Sequence, residues 1–184
     1  TIAQRTTGVN NQSMQNQAEH AQPRRKFSVA EDAEGRQIVV VEDNIFAGKE
    51  DVSKNKVVRD YIRQHIGEDK TISSDGRAVY IGKELPGEYT LSQYSKNLRS
   101  NRTLSNAKNQ AAQNLGELIE IAENPSWQEN RKAKHAMDAK YGWWKYDTRF
   151  AVPVRDNSVK ITNYRTYDAS LLIRHDADGK YYLY

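Results

Sequence analysis

Apolar positions are sparse through residues 1–25 and then arrive in short periodic runs. The first run, residues 37–42 (QIVVVE), is β-branched, lies between Gly35 and Asp43-Asn44, and predicts a strand. Ser53 offers a helix N-cap. Val57, Val58, Tyr61, Ile62, His65 and Ile66 then recur at 3-4 spacing, predicting a helix that Gly67 stops. Residues 71–74 and 77–82 flank Asp75-Gly76, a dipeptide that accepts the positive φ of a tight hairpin turn. Together, residues 37–83 predict a β-α-β-β module able to pack on itself.

Leu85-Pro86-Gly87 predicts a turn, and Thr90 with Gln93 a capping box opening a short helix. A longer helix is expected over 105–123, where Ala107, Ala111, Leu115, Leu118, Ile119 and Ala122 share one face; Asn124-Pro125 ends it. Ser126 and Glu129 form a second capping box. The helix it opens would turn Ala133, Ala136 and Met137 inward and Gln128, Arg131, His135 and Asp138 outward, until Gly142 breaks it. Four strands follow in the pattern: 146–154, 158–164, 169–174 and 180–184, with turns at Asp156-Asn157 and Asp178-Gly179. In the first two, Phe150, Val152, Val154, Val159 and Ile161 share the face expected to be buried. The expected fold is α+β: an N-terminal β-α-β-β module, then helices packed on one face of a four-stranded antiparallel sheet. Residues 1–25 read as a disordered tail or linker, 26–89 as the small module and 90–184 as the helix-and-sheet domain.

Composition narrows the chemistry. The chain has no cysteine, which excludes disulfides, thiolate metal sites and cysteine nucleophiles. No apolar run reaches the roughly 18 residues of a membrane span, so no membrane partner is expected. The start lacks the apolar region of a signal peptide, and its opening Thr suggests a piece of a larger polypeptide. Residues 91–184 carry 15 Lys+Arg against 10 Asp+Glu, while residues 1–90 carry 13 against 14. The basic half hints at a polyanionic partner, although a charge this small also suits an ordinary soluble surface.

Period-2 counting places Arg149, Lys160, Thr162, Tyr164, Arg174 and Tyr182 on the second face of the expected sheet. Cations there would neutralise phosphates and tyrosine rings would stack on unpaired bases. The same residue types also suit a plain solvated face. His135 is the candidate for proton transfer, since imidazole titrates near neutrality. Asp138 would orient it, and Arg131 and Lys132 would hold a phosphate; an exposed histidine without a role fits the same spacing. His175 falls on the helix-facing parity, where it could approach His135, or it is a turn residue beside Asp176. His65 reads as structural and His20 has no role assigned. Of Trp143 and Trp144, alternation turns one outward to wall a pocket. His135 and Asp138 lack further ligand partners, and Asp176 to Gly179 reads as a hairpin turn rather than a calcium loop, so no metal or cofactor is expected.

Four segments, VYIGKELPGEYT, AAQNLGELIEIAEN, NRKAKHAMDAKYGWWKYDTRFAVPV and LLIRHDADGKYYLY, resemble domains of large polyvalent proteins of phages and conjugative elements. Those domains are grouped with the barnase–EndoU–colicin–RelE-like nucleases. The resemblance implies a metal-independent ribonuclease toxin or effector that cuts RNA, tRNA among the candidates, by 2′-hydroxyl attack to a 2′,3′-cyclic phosphate. It implies His135 as base or acid, with Lys132, Arg149 or Arg174 on the phosphate, and His175 completes the catalytic candidates. Arg131, Lys160, Thr162, Tyr164, Arg174 and Tyr182 would bind RNA. It also raises a cognate immunity or inhibitor protein as partner. Action in the cytoplasm after delivery from a phage particle or secretion system would go with such a role. A non-catalytic nucleic-acid-binding module and a protein-interaction domain are the rival readings.

Overall fold

A computed structural model describes residues 2–5, 27–48 and 51–184. In chain order the elements are β1 (Ile2–Arg5), β2 (Phe27–Glu31), β3 (Gln37–Val41), α1 (Asp51–Arg63), β4 (Asp69–Thr71), β5 (Ala78–Ile81), α2 (Leu85–Leu91), α3 (Gln93–Leu98) and α4 (Arg102–Ala111). A 3₁₀ turn (Ala112–Asn114) leads into α5 (Leu115–Glu120), then β6 (Glu123–Gln128), a second 3₁₀ turn (Ala133–His135), β7 (Trp143–Arg155), β8 (Ile161–His175) and β9 (Tyr181–Leu183).

The long hairpin of β7 and β8 is the spine, in register from Trp143 opposite Arg174 to Arg155 opposite Ile161, with a bulge after Val154. Its turn is tied by Asp156, whose Oδ1 accepts the amides of Ser158 (2.9 Å) and Lys160 (3.0 Å). Other strands join both ends of this ribbon. On the free edge of β7, β6 pairs at one end and β3 at the other. On the free edge of β8, β9 pairs at one end and β1 at the other. The path runs β2-β3-β7-β8-β9-β5-β4, with β1 and β6 off it, nine strands in one sheet among the described residues. The β3–β7 and β5–β9 pairs are parallel.

This corrects the expected four-stranded antiparallel sheet behind a separate module. Two of the four expected strands, 158–164 and 169–174, are one strand, because the intervening Arg165-Thr166-Tyr167-Asp168 has no Gly or Pro to break it. The strands of the expected module do not close on one another. β3 joins β7, and the β4–β5 hairpin joins β9. A period-2 pattern states which face a strand buries, not which strand lies beside it.

Helices cover one face. Val58, Ile62, Leu115 and Ile119 meet Val79, Tyr146, Leu171, Ile173 and Leu183 in the larger core, and Ala107, Ala111 and Leu118 meet Val39, Val41, Phe150 and Tyr167 beside it. The face expected to be free is covered at the β3 end, where Ile38 and Val40 pack with Ala30, Ala151 and Tyr164. Burial on both faces accounts for the unbroken apolar run of β3. Val159, expected on the buried face, is exposed in the hairpin turn.

The expected helix over 105–123 is present as α4, the 3₁₀ turn and α5, and its six stripe residues are buried. Leu85-Pro86-Gly87, expected as a turn, opens α2, where a proline in the first turn loses no helical hydrogen bond. Ser92, not Thr90, caps α3 by accepting the Ser95 amide (3.3 Å). Past α1, Ile66 is exposed and His65 lies beside Glu68 at 3.1 Å rather than in the core. Of the expected tail, residues 2–5 are β1; His20 lies outside the described residues. Among the described residues no helix is long and apolar enough to cross a membrane.

Candidate functional site

The helix expected from Ser126 does not form. Residues 123–128 are β6, set against β7 with Trp127 opposite Trp144. The stripe that should have held a helix, Ala133, Ala136 and Met137, offers one large side chain, and Met137 is 77% exposed. A helix with so little to bury gains too little from packing to outweigh strand pairing. The chain instead leaves β6, loops across one end of the sheet and returns to β7.

Side-chain bonds fix that loop. Asn130 donates from Nδ2 to the His135 carbonyl (2.9 Å), while its Oδ1 accepts the Lys132 amide (3.1 Å) and Trp143 Nε1–H (3.3 Å). Trp127 donates Nε1–H to the Tyr141 carbonyl (3.0 Å). Gly142 closes the loop at φ 90°, where a Cβ would stand 2.6 Å from Trp127 Nε1 and 2.7 Å from the Gln128 carbonyl. Only glycine fits there.

His135 is therefore not on an outer helix face. It is 7% exposed, edge-on to the rings of Trp143 (5.3 Å) and Tyr184 (5.5 Å), which themselves meet at 5.0 Å. These three rings form one wall of a cavity of about 660 Å³ whose rim carries Trp127, Arg131 and Lys132. Trp127 is 54% exposed, a large indole face at the cavity mouth. His135 Nδ1 is buried with no hydrogen-bond partner, and the nearest carboxylate oxygen, Asp138 Oδ2, is 3.9 Å away. Burial, and then the charge of Lys134, hold the ring below the ordinary imidazole value of 6.5, against the opposing pull of Asp138. The imidazole is thus kept in its neutral, proton-accepting form at neutral pH.

Arg174, opposite Trp143 on β8, is buried beside this wall. Its Nε lies 2.7 Å from Asp176 Oδ1, Nη2 3.6 Å from Glu84 Oε2 and Nη1 3.9 Å from Asp138 Oδ2. Asp138 thus stands between Arg174 and His135, and Arg174 is already engaged by carboxylates. Tyr182, on the same face, donates its hydroxyl to Asp178 (2.6 Å) and lies 5.8 Å from the Arg174 guanidinium.

The other sequence candidates lie elsewhere. Strand alternation turns His175 to the face opposite Arg174, where it stacks on Tyr181, so it does not approach His135. Arg149 shares the face of Trp143 but sits six residues further along β7, roughly 20 Å at strand rise. It is buried there, bonded to Glu123 (2.5 Å) and the Gln37 carbonyl (3.0 Å). Lys160 and Thr162 are exposed at the far hairpin end, and Tyr164 is buried in the β3 cluster. The expected binding face is thus divided: Arg131 and Lys132 line the His135 cavity, Arg174 reaches His135 only through Asp138 with Tyr182 beside it, and Lys160, Thr162 and Tyr164 lie elsewhere.

Sequence reasoning missed Trp127, Asn130 and Tyr184. Tyr184 was legible, because it shares the parity of Tyr182. Asn130 was half-legible, as a poor helix former inside an expected helix. Nothing in the sequence pairs Trp127 with Trp144. Among the described residues no three His, Cys, Asp or Glu side chains are placed to hold a metal. In comparison with known proteins, the chain matches no family model, no curated protein and no solved structure.

Proposed function

We propose that the chain is a metal-independent ribonuclease domain, a toxin or effector of a mobile element, which holds an unpaired stretch of RNA in the His135 cavity. The observation that carries this reading is a buried imidazole, biased towards its neutral form, in a cavity lined by the rings of Trp127, Trp143 and Tyr184 with two exposed cations at its mouth. Aromatic faces stack on unpaired bases, and Arg131 and Lys132 meet the phosphates. The resemblance to phage-borne nuclease domains adds support, since two of its four phrases, 130–154 and 171–184, supply most of the cavity wall.

In this reading a small rotation of the exposed Asp138 side chain brings it onto His135 Nδ1–H and leaves Nε2 as the acceptor; such contacts commonly tighten only when substrate is bound. Nε2 takes the proton of the ribose 2′-hydroxyl, O2′ bonds to phosphorus, and the phosphorus–O5′ bond breaks. The leaving O5′ takes a proton from water, and the imidazolium returns its own to solvent. Arg131 and Lys132 stabilise the phosphorane charge. Acting in the cytoplasm, such an enzyme would call for an inhibitor protein in the cell that makes it.

Incubation with tRNA and total RNA in EDTA is the test. Cleavage to 2′,3′-cyclic ends is expected, with a loss of at least 100-fold in His135→Ala. The acidic limb of kcat/KM should lie below pH 6.5, because protonation of His135 removes the base and burial lowers the pH at which that occurs. Cleavage unaffected by His135→Ala removes His135 from the mechanism. The second reading, binding without cleavage, draws on Arg174 and Arg149 being engaged by carboxylates and His175 lying on the opposite face. Retained RNA affinity with no cleavage would select it.

A further inference from the structure

The face opposite His135, at the same end of the sheet, carries a run of planar groups that the cavity does not use. His175 stacks on Tyr181 with ring centroids 4.2 Å apart and planes 24° apart. Tyr141 lies 4.9 Å from His175. The Arg77 guanidinium lies 5.6 Å from the Tyr181 ring and 3.7 Å from the Trp144 ring. Tyr141, His175, Tyr181, Arg77 and Trp144 therefore form a continuous strip across β7, β8, β9 and the turn before β5. Apolar packing does not claim it fully: Tyr141 is 45% exposed and the other four are half-buried.

The strip begins where the cavity ends. Trp127 stands at the cavity mouth on the outer edge of β6, and its Nε1–H bonds the Tyr141 carbonyl. A flexible polymer held in the cavity reaches the strip by passing round that edge. The charge of Arg77 is largely met by Asp75 (2.6 Å), while the Lys140 ammonium stands 5.4 Å from the Tyr141 ring. What the strip offers is chiefly the exposed Tyr141 ring and the half-buried ring surface of His175 and Tyr181 that their mutual stacking leaves open, with one exposed cation beside them. That suits the bases of a single strand, whose faces are free, and not a duplex, whose base faces are stacked away.

We propose that the Tyr141–His175 end of this strip is a second binding surface for single-stranded RNA, on which nucleotides flanking the one in the cavity stack. The proposal rests on the reading that the cavity takes RNA. It gives His175 a role other than proton transfer: a stacking platform outside the catalytic centre. It also makes affinity depend on strand length, with the added part insensitive to salt, because stacking releases no counterions.

The experiment measures binding of uncleavable 2′-O-methyl RNA, a trimer and a decamer, to the full chain and to Tyr141→Ala and His175→Ala, with dinucleotide cleavage alongside. Each substitution is expected to weaken decamer binding about tenfold, at low and high salt alike, the usual effect of removing one base–aromatic stack. Trimer binding and dinucleotide cleavage should be unchanged. Decamer affinity equal to wild type in both variants, with the trimer still bound, overturns the strip alone. Equal affinity for a duplex of the same length also overturns it. If no RNA of any length binds, the cavity reading fails and takes the strip with it.

Discussion

Lys108 shows how far a single residue can depart from its expected behaviour. It sits at a solvent-facing period of the α4 pattern by residue type, yet it is buried, with Nζ donating to the Tyr89 carbonyl and to Ser95 Oγ (3.0 Å) and lying 3.7 Å from the Tyr89 ring centre. Burial lowers its pKa from 10.5 to about 7. The unfolded chain keeps this proton up to about 10.5 while the folded chain gives it up near 7, so stability rises with pH across that window. From pH 7 to pH 9 urea denaturation should show a gain on the order of 2 kcal/mol. Lys108→Met should remove most of that gradient; an unchanged gradient would mean the amine is not desolvated in solution. His135 obeys the same physics in the cavity, where burial lowers the pKa of the one imidazole the proposed chemistry needs. The sequence named His135 as the proton-transfer candidate through its residue type. It could not state the environment, because burial is set by Trp143 and Tyr184, one eight residues away and the other 49.

Among the elements, the segment between β6 and β7 departs most from its pattern. Ser126 and Glu129 have the spacing of a capping box, but local capping is worth about 1 kcal/mol, and no apolar face follows to add to it. Backbone pairing of β6 with β7, which sets Trp127 opposite Trp144, prevails. The loop that results depends on Gly142, whose φ of 90° and lack of Cβ let Trp127 and Gln128 close over it. Gly142→Ala should cost on the order of 2–3 kcal/mol in urea unfolding, combining backbone strain with the clash. Under the proposed function it should also weaken RNA binding, by unseating Trp127 from the Tyr141 carbonyl. A Gly142→Ala protein as stable as wild type would show that the loop is not closed in this way. Elements with strong periodicity fared better. α1 and the α4–α5 run lie within about three residues of their expected bounds, and Asp75-Gly76 does join β4 to β5, although β4 (Asp69–Thr71) ends where its expected span 71–74 begins and His65 and Ile66 fall past α1.

For the whole molecule, the decisive fact is that strands from both parts of the sequence share one sheet. β3 and β5 enter it by parallel pairing with β7 and β9, and Val58, Ile62 and Val79 share a core with Leu115, Tyr146 and Ile173. The described residues should therefore unfold as a unit. Hydrogen exchange or urea titration should show α1 and β8 losing protection at the same midpoint. Separate midpoints would restore residues 26–89 as an independent module. By itself the sequence determined part of the local grammar: the helices at α1 and α4–α5 with their apolar stripes, the β3 and β7 strands, that cysteine chemistry is excluded, and that His135 is the residue to examine. Only the tertiary structure decided that β3 and β5 complete the C-terminal sheet, that His135 is enclosed while His175 faces away, and that Arg149 and Arg174 are engaged by carboxylates. The reason is that periodicity reports the face a residue turns, a property of the chain within a few residues. Strand partners, burial and ion pairs are set by residues far away in sequence, which no local pattern encodes.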